Sequence, residues 1–253
     1  MKQRIITGLV LIVGIIPPLI IGGIYLKFLI AVTALAIVYE FIKVMNDAKM
    51  WPLMAILAIY IYFNLFVSTA WLSESSALLI MVLYTINVLD EHFNVMKIAY
   101  LFMFAVYTVL ALEAFMNIYS MGVYNIVFLL LITYLTDTFA YFGGMLFGKH
   151  KLNERISPKK TLEGSICGYL GGMAIGLTFG LTFLTLSHSL IIISSLLIPI
   201  LSQIGDLAMS SVKRYFSCKD FSNLFPGHGG VLDRIDSLTF TLLVFNILVR
   251  VIN

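Results

Sequence analysis

Apolar runs long enough to cross a bilayer, separated by short polar breaks, dominate the chain. A hydrocarbon core about 30 Å thick takes ~20 helical residues. Read at that length, the pattern predicts nine spans: 5–21, 24–44, 51–68, 76–90, 98–118, 123–147, 164–186, 189–212 and 235–252. Helices are expected, because a lone span in lipid must satisfy its own backbone hydrogen bonds. The boundary at Gly22-Gly23 separates the first two runs, and the fourth is short and ends in Asp90-Glu91. Pro17 and Pro18 lie inside the first run and Pro199 inside the eighth, where a kink or local break is expected. The predicted fold class is therefore all-α, a polytopic integral membrane protein. One domain, residues 1–253, carries two substantial cytoplasmic loops, 148–163 and 213–234.

Composition strengthens this picture. Of the 253 residues, 60% are apolar and 11% charged, and the mean hydropathy is +1.01. Soluble domains carry roughly a quarter charged residues, so an ordinary soluble globule, a disordered chain and a nucleic-acid binder with a basic surface are all excluded. The first apolar run is too long for the core of a signal peptide, and no small-residue cleavage site closes it. It is expected to stay as the first span. Cys167 and Cys218 show neither zinc-like nor disulfide-framework spacing.

Charge position then assigns the sides. With the amino terminus in the cytoplasm, the cytoplasmic segments hold Lys2, Arg4, Lys43, Lys49, Lys97, Lys149, Lys151, Arg155, Lys159, Lys160, Lys213, Arg214, Lys219 and Arg234. Only Lys27 and Arg250 fall on the other side, so 14 of the 16 basic residues obey the positive-inside rule.

Polar residues inside the spans mark where chemistry could sit, since a charge at the bilayer centre costs at least ~2.5 kcal/mol. Glu40 and Glu113 lie near span ends and read as interfacial or paired. Thr133, Asp137, Tyr141 and Gly144 share one face of the sixth span, and Gln203, Asp206, Ser210 and Lys213 share one face of the eighth. Such stripes look either into a wet pocket or onto a hydrogen-bonded seam between helices. In the seventh span Gly164, Gly168, Gly172, Gly176 and Gly180 recur every fourth residue, a packing face that admits a close neighbour.

The loops add the rest. In 148–163, Ser157-Pro158 stops any helix, Thr161 suits a helix cap, and Lys159-Lys160 at a helix entrance suits either a phosphate or plain anchoring to anionic lipid. Lys149 and Lys151 read as plain anchors to anionic lipid. In 213–234, Gly227, Gly229 and Gly230 surround His228 and can turn sharply while offering amides to an anion. Asp233 and Asp236 are three apart, hence on one face as the ninth helix begins. Paired carboxylates beside basic residues and a glycine loop suit metal-assisted chemistry on a nucleotide.

The run Ser210, Val212-Lys213-Arg214, Lys219-Asp220, Pro226-Gly227-His228-Gly229-Gly230 and Asp233-Arg234-x-Asp236 resembles the signature of phosphatidate cytidylyltransferases, also called CDP-diglyceride synthases. Supporting matches are Asp137 with Ala140-Tyr141, Gly148-Lys149, Ser157-Pro158-Lys159-Lys160-Thr161 with Glu163-Gly164, and Gln203-x-Gly205-Asp206-Leu207. The resemblance implies transfer of cytidylyl from CTP to phosphatidic acid, giving CDP-diacylglycerol and pyrophosphate. It also implies a divalent metal, usually Mg2+, and a second cation such as K+. Asp206 and Asp233 would hold the metal, with Asp236 and Asp137 orienting its waters or a second cation. Lys159, Lys160, Lys213, Arg214 and Lys219 would take the phosphates, with Ser210 and the glycine loop also at the substrate. His228 either donates to the leaving pyrophosphate or stiffens its loop, Arg234 could pair with an aspartate, and Asp220 could merely position Lys219.

The expected partners are the two substrates and the bilayer, with no nucleic acid and a homodimer as one possible assembly. The compact length suggests a bacterial cytoplasmic membrane. Two other readings compete. A CTP-dependent kinase of a polyprenol or similar lipid alcohol would leave one phosphate on the lipid and release CDP. A transporter would account for intramembrane Asp137 and Asp206, but has no evident use for the glycine-loop motif, and the halves show no inverted-repeat symmetry.

Overall fold

The structure, a computed structural model, describes residues 2–45, 51–227 and 229–252, with backbone alone for 2–7 and 9–12. Its helices are α1 (Lys2–Ile21), α2 (Gly23–Val44), α3 (Trp51–Tyr62), α4 (Leu72–Leu89), α5 (Val95–Ser120), α6 (Val123–Phe147), α7 (Leu162–Phe183), α8 (His188–Tyr215) and α9 (Leu232–Ile252). A π turn (Phe63–Val67) continues α3, and a single 3-10 turn (Thr69–Trp71) leads into α4.

Seven helices among the described residues are long and apolar enough to cross a membrane: Gly23–Val44, Thr69–Leu89, Val95–Ser120, Val123–Phe147, Leu162–Phe183, His188–Tyr215 and Leu232–Ile252. Each matches one of the runs expected from the sequence. The helix Trp51–Val67 is shorter, and α1 is not among the seven. The helices continue through Pro17-Pro18 and Pro199, so the expected local break does not occur. Large apolar side chains stand exposed along the spans, such as Leu78, Met81 and Val88 on α4 and Leu170 and Leu181 on α7. An outward apolar surface of this extent suits a lipid solvent.

Segment 148–163 is non-helical up to Thr161, as its Ser157-Pro158 break predicts, but it is more ordered than a plain loop. Its middle folds into an antiparallel hairpin, β1 (Lys151–Asn153) and β2 (Ser157–Thr161), pairing Lys151 with Thr161 and Asn153 with Ser157. The side chain of Asn153 accepts the Ile156 amide at 3.1 Å and so builds the turn. Pro158 fits because β2 is an edge strand.

Two compact units divide the chain: Met1–Glu113 with Asp220–Asp233, and Ala114–Lys219 with Arg234–Asn253. In the first, Leu26, Ile30, Ala34, Ile37, Val38 and Phe41 of α2 are buried on a helical stripe, and Phe41 packs its ring 4.4 Å from that of Phe104 on α5. The π turn is held by Asn64, whose amide donates to Tyr60 O at 2.8 Å and whose oxygen accepts Ser75 Oγ at 2.9 Å.

In the second unit, the glycine stripe of α7 lies directly on α6 and α8. All five glycines are buried. A Cβ at Gly164 would stand 2.5 Å from Ala140 O, at Gly168 2.7 Å from Thr136 O, and at Gly180 2.5 Å from Ile191 Cγ2. Gly172 is pressed against Thr136 and Pro199. Only hydrogen side chains allow backbones this close. The apolar end of the unit is filled by Phe128, Leu129, Ile132, Leu190, Ile198 and Phe245.

Candidate active site

The close α6–α7–α8 packing brings the polar stripes of the second unit together with the start of α9. At its inner end the seam is neutral. Buried Thr133 donates to Thr241 Oγ1 at 3.0 Å. Gln203 binds Ser165 twice, accepting its hydroxyl at 2.6 Å and donating to its carbonyl at 3.3 Å, and thereby ties α8 to α7. These two residues satisfy the hydrogen-bonded-seam reading of the stripes.

Further along, the seam carries charge. Asp137 of α6 accepts the Ser237 hydroxyl of α9 at 3.2 Å and is in electrostatic contact with Asp206, Lys160 and Asp236. Lys160 of β2 forms an ion pair with Asp206 of α8, which also accepts Ser210 Oγ at 3.3 Å. Lys213, buried near the end of α8, stands 3.5 Å from Asp236 of α9. Asp236 further accepts the amide of Ser237 at 2.9 Å. Three carboxyl groups thus face two ammonium groups, which leaves a formal excess of one negative charge when all are ionised.

The hairpin decides which lysine takes part. Side chains alternate along a strand. Lys160 therefore turns inward to Asp206 while its neighbour Lys159 is exposed. Thr161 caps α7 by accepting the Gly164 amide at 3.2 Å, as its position before that helix predicts. Glu163 fixes the hairpin's other end. Its carboxylate accepts the amides of Lys149 at 3.0 Å and His150 at 3.2 Å and binds His150 Nδ1 at 2.6 Å. No signal beyond its place in the motif pointed to this role.

Other expected residues have different company. Arg214 donates to backbone carbonyls, Ile156 O at 3.3 Å and Cys218 O at 3.0 Å, and so joins the hairpin turn to the end of α8. Lys219 is exposed. Tyr141 is 68% exposed, off the seam its stripe-mates line, with its ring edge-on to Phe142. Arg234 gives its carbonyl to Tyr134 OH at 3.1 Å.

The glycine loop belongs to the first unit. Gly227 and Gly229 both have φ of 81°, a conformation that favours glycine, and Phe225 N donates to Gly229 O at 2.9 Å across the turn. Gly230 does offer its amide to an anion, and that anion is Asp233, at 2.9 Å. The same oxygen accepts Phe221 N at 2.9 Å. His228 lies outside the described residues.

Among the described residues, no three acidic, histidine or cysteine side chains stand close enough together to cage a metal as they are. The donor chemistry nevertheless fits a hard cation, which prefers carboxylate and hydroxyl oxygens. Asp137, Asp206 and Asp236 with Ser210 and Ser237 supply such oxygens, held at present by Lys160 and Lys213.

Fold and geometry together define a class: a helical, polytopic membrane protein with acidic and basic side chains gathered on one polar seam. The family follows from its relatives. A model described as the Cytidylyltransferase family matches residues 2–252, and the chain belongs to that family. It is 34% identical over 258 residues to the phosphatidate cytidylyltransferase of Staphylococcus haemolyticus (strain JCSC1435). Identity is 32% over 258 residues to the enzymes of that name from Staphylococcus saprophyticus subsp. saprophyticus and Staphylococcus aureus (strain COL). Each alignment covers 98% of this chain and 98% of the relative.

Proposed function

We propose that this protein is an enzyme that transfers the cytidylyl group of CTP to phosphatidic acid, releasing pyrophosphate and leaving CDP-diacylglycerol in the membrane. The observation that carries this reading is the pairing of Lys160 with Asp206 and of Lys213 with Asp236 around Asp137, in a chain of the cytidylyltransferase family. Both reactants are anions. A phosphate oxygen of the lipid attacks the α-phosphorus of CTP, the bond to the β-phosphate oxygen breaks, and its electron pair leaves with pyrophosphate. The barrier is mutual repulsion and poor alignment, so positioned charge supplies most of the catalysis.

Lys160 and Lys213 are the cations held ready. Their carboxylate partners keep them extended into the seam, and incoming phosphate oxygens compete for them. Exposed Lys159 and Lys219 add positive potential outside. Arg214 keeps the hairpin against α8 and so positions Lys160. A hard divalent cation such as Mg2+ would be held by Asp206, Asp236 and Asp137, with Asp233 joined to them by the motif, and a second cation such as K+ belongs to the same reading. Such an ion would neutralise phosphate oxygens. The basic segments then face the cytoplasm of a bacterial cell, where CTP is available, while the acyl chains stay in lipid. In this reading α1 and Trp51–Val67 also cross, giving nine spans.

The test is a detergent assay of purified protein with CTP labelled in the cytidine and with phosphatidic acid, with and without Mg2+. Label moving into lipid with pyrophosphate release supports the proposal. Phosphorylated lipid with free CDP would show a kinase instead.

A further inference from the structure

Glu40 carries no share of the seam, yet it is the single acidic residue of α2 and is fully buried, with 0% exposure. A buried carboxylate in an apolar helix is costly to keep unless it is fully hydrogen-bonded. Its partners come from a segment more than 180 residues further along. Ser222 Oγ donates to Oε1 at 2.7 Å, Val231 N to Oε1 at 2.7 Å and Leu232 N to Oε2 at 2.8 Å. The two amides open α9, where no helical carbonyl can accept them and where the helix dipole favours an anion. Val231, the residue before the helix, has no side-chain oxygen with which to cap it. Gly230 packs against the same carboxyl, and a Cβ there would lie 2.7 Å from Glu40 Cδ. Gly230 in turn donates to Asp233 at 2.9 Å. Phe221-Ser222 and Gly230-Val231-Leu232 are therefore gripped by two carboxylates, Glu40 from α2 and Asp233 of the same stretch.

We infer that Glu40 is a positioning residue: through the amides of Val231 and Leu232 and the contact with Gly230, it fixes the start of α9 and the aim of Asp233, without touching either substrate. This inference rests on the cytidylyl-transfer reading and deepens it. It gives the amino-terminal half of the chain a part in an activity whose motifs all lie in the other half.

Glu40→Gln is the direct test. A carboxamide can still accept from Ser222 and Val231, but its NH2 faces the Leu232 amide donor to donor. Hydrogen exchange of the peptide covering 220–236 and steady-state kinetics in CTP are read on the folded, monodisperse fraction. The expected result is faster exchange with kcat down at least about tenfold and KM for CTP within about threefold, because misplacement of a reacting group acts on the transition state. Unchanged exchange overturns the inference. So does faster exchange with kcat within about twofold, a merely structural role, or a raised KM at unchanged kcat, a substrate contact. If Glu40→Gln does not fold, Ser222→Ala is judged by the same readings, with an expected loss in kcat of about threefold from one lost hydrogen bond. A parent protein without cytidylyl transfer sinks the function reading and this inference with it. A parent that turns over beside an unaltered Glu40→Gln sinks the inference alone.

Discussion

Replacing Gly168 with alanine probes the packing that assembles the seam. The new Cβ would lie 2.7 Å from Thr136 O and 2.8 Å from Ala140 Cβ, inside any real contact distance. One obstacle is the backbone of α6, so a side-chain rotation cannot relieve it and α6 and α7 must separate. Alanine gains up to about 1 kcal/mol over glycine in helix propensity. Overpacking a tight contact costs about 1–3 kcal/mol, and a rigid helix backbone places this case in the upper half. The net expectation is a loss of about 1–2 kcal/mol. At about 2–4 °C per kcal/mol for a chain of this size, the thermal midpoint in detergent should fall by ~2–8 °C. Gly14→Ala is the control, because nothing among the described residues lies within 4 Å of a Cβ there. Its midpoint should hold or rise. Thr136 adjoins Asp137, so Gly168→Ala should also lower turnover per folded molecule. A Gly168→Ala protein as stable and as active as the parent would refute the idea that missing side chains set the helix approach.

Further expectations follow from the hairpin and the seam. Lys160→Met should cut turnover at least about a hundredfold, since it removes a positioned cation from the reacting phosphates, whereas exposed Lys159→Met should cost about tenfold or less. Near-equal losses in the two variants would contradict the inward-outward alternation of β2. Glu163→Gln weakens the clasp on the Lys149 and His150 amides. It should raise KM for CTP by about threefold to tenfold with little change in thermal midpoint; a purely thermal effect would assign Glu163 to stability alone.

Much of this was legible in the sequence because it is local or periodic. The four-residue repeat of glycine from Gly164 to Gly180 has one physical use in an apolar helix, and the structure shows that use. Asp137 and Asp206 stood out because lipid penalises them, and spacing alone placed Gln203, Ser210 and Lys213 on the face of Asp206. What stayed hidden depends on distant partners or on short elements without a pattern. Lys151–Asn153 and Ser157–Thr161 alternate no apolar residues, so nothing announced a hairpin, and hence nothing separated Lys160 from Lys159. Arg214 read as a phosphate ligand, and its bond to Ile156 O stayed hidden because that carbonyl lies in a turn the sequence did not reveal. Glu40 read as interfacial or paired, and paired it is, but its partners at Ser222, Val231 and Leu232 are far along the chain. Tyr141 shows the limit of face arguments: helical spacing aligns residues, yet the neighbouring helices decide how far along the stripe burial extends.

The most direct test of the account compares parent and Asp206→Asn proteins, both purified in detergent and folded, with cytidine-labelled CTP, phosphatidic acid and Mg2+. The parent should move label into lipid and release one pyrophosphate for each lipid formed. Asp206→Asn should remain folded and lose that transfer by at least about a thousandfold, because Lys160 and any bound cation lose their shared carboxylate. Label transfer by Asp206→Asn near the parent rate would contradict the claim that this seam is where cytidylyl transfer takes place.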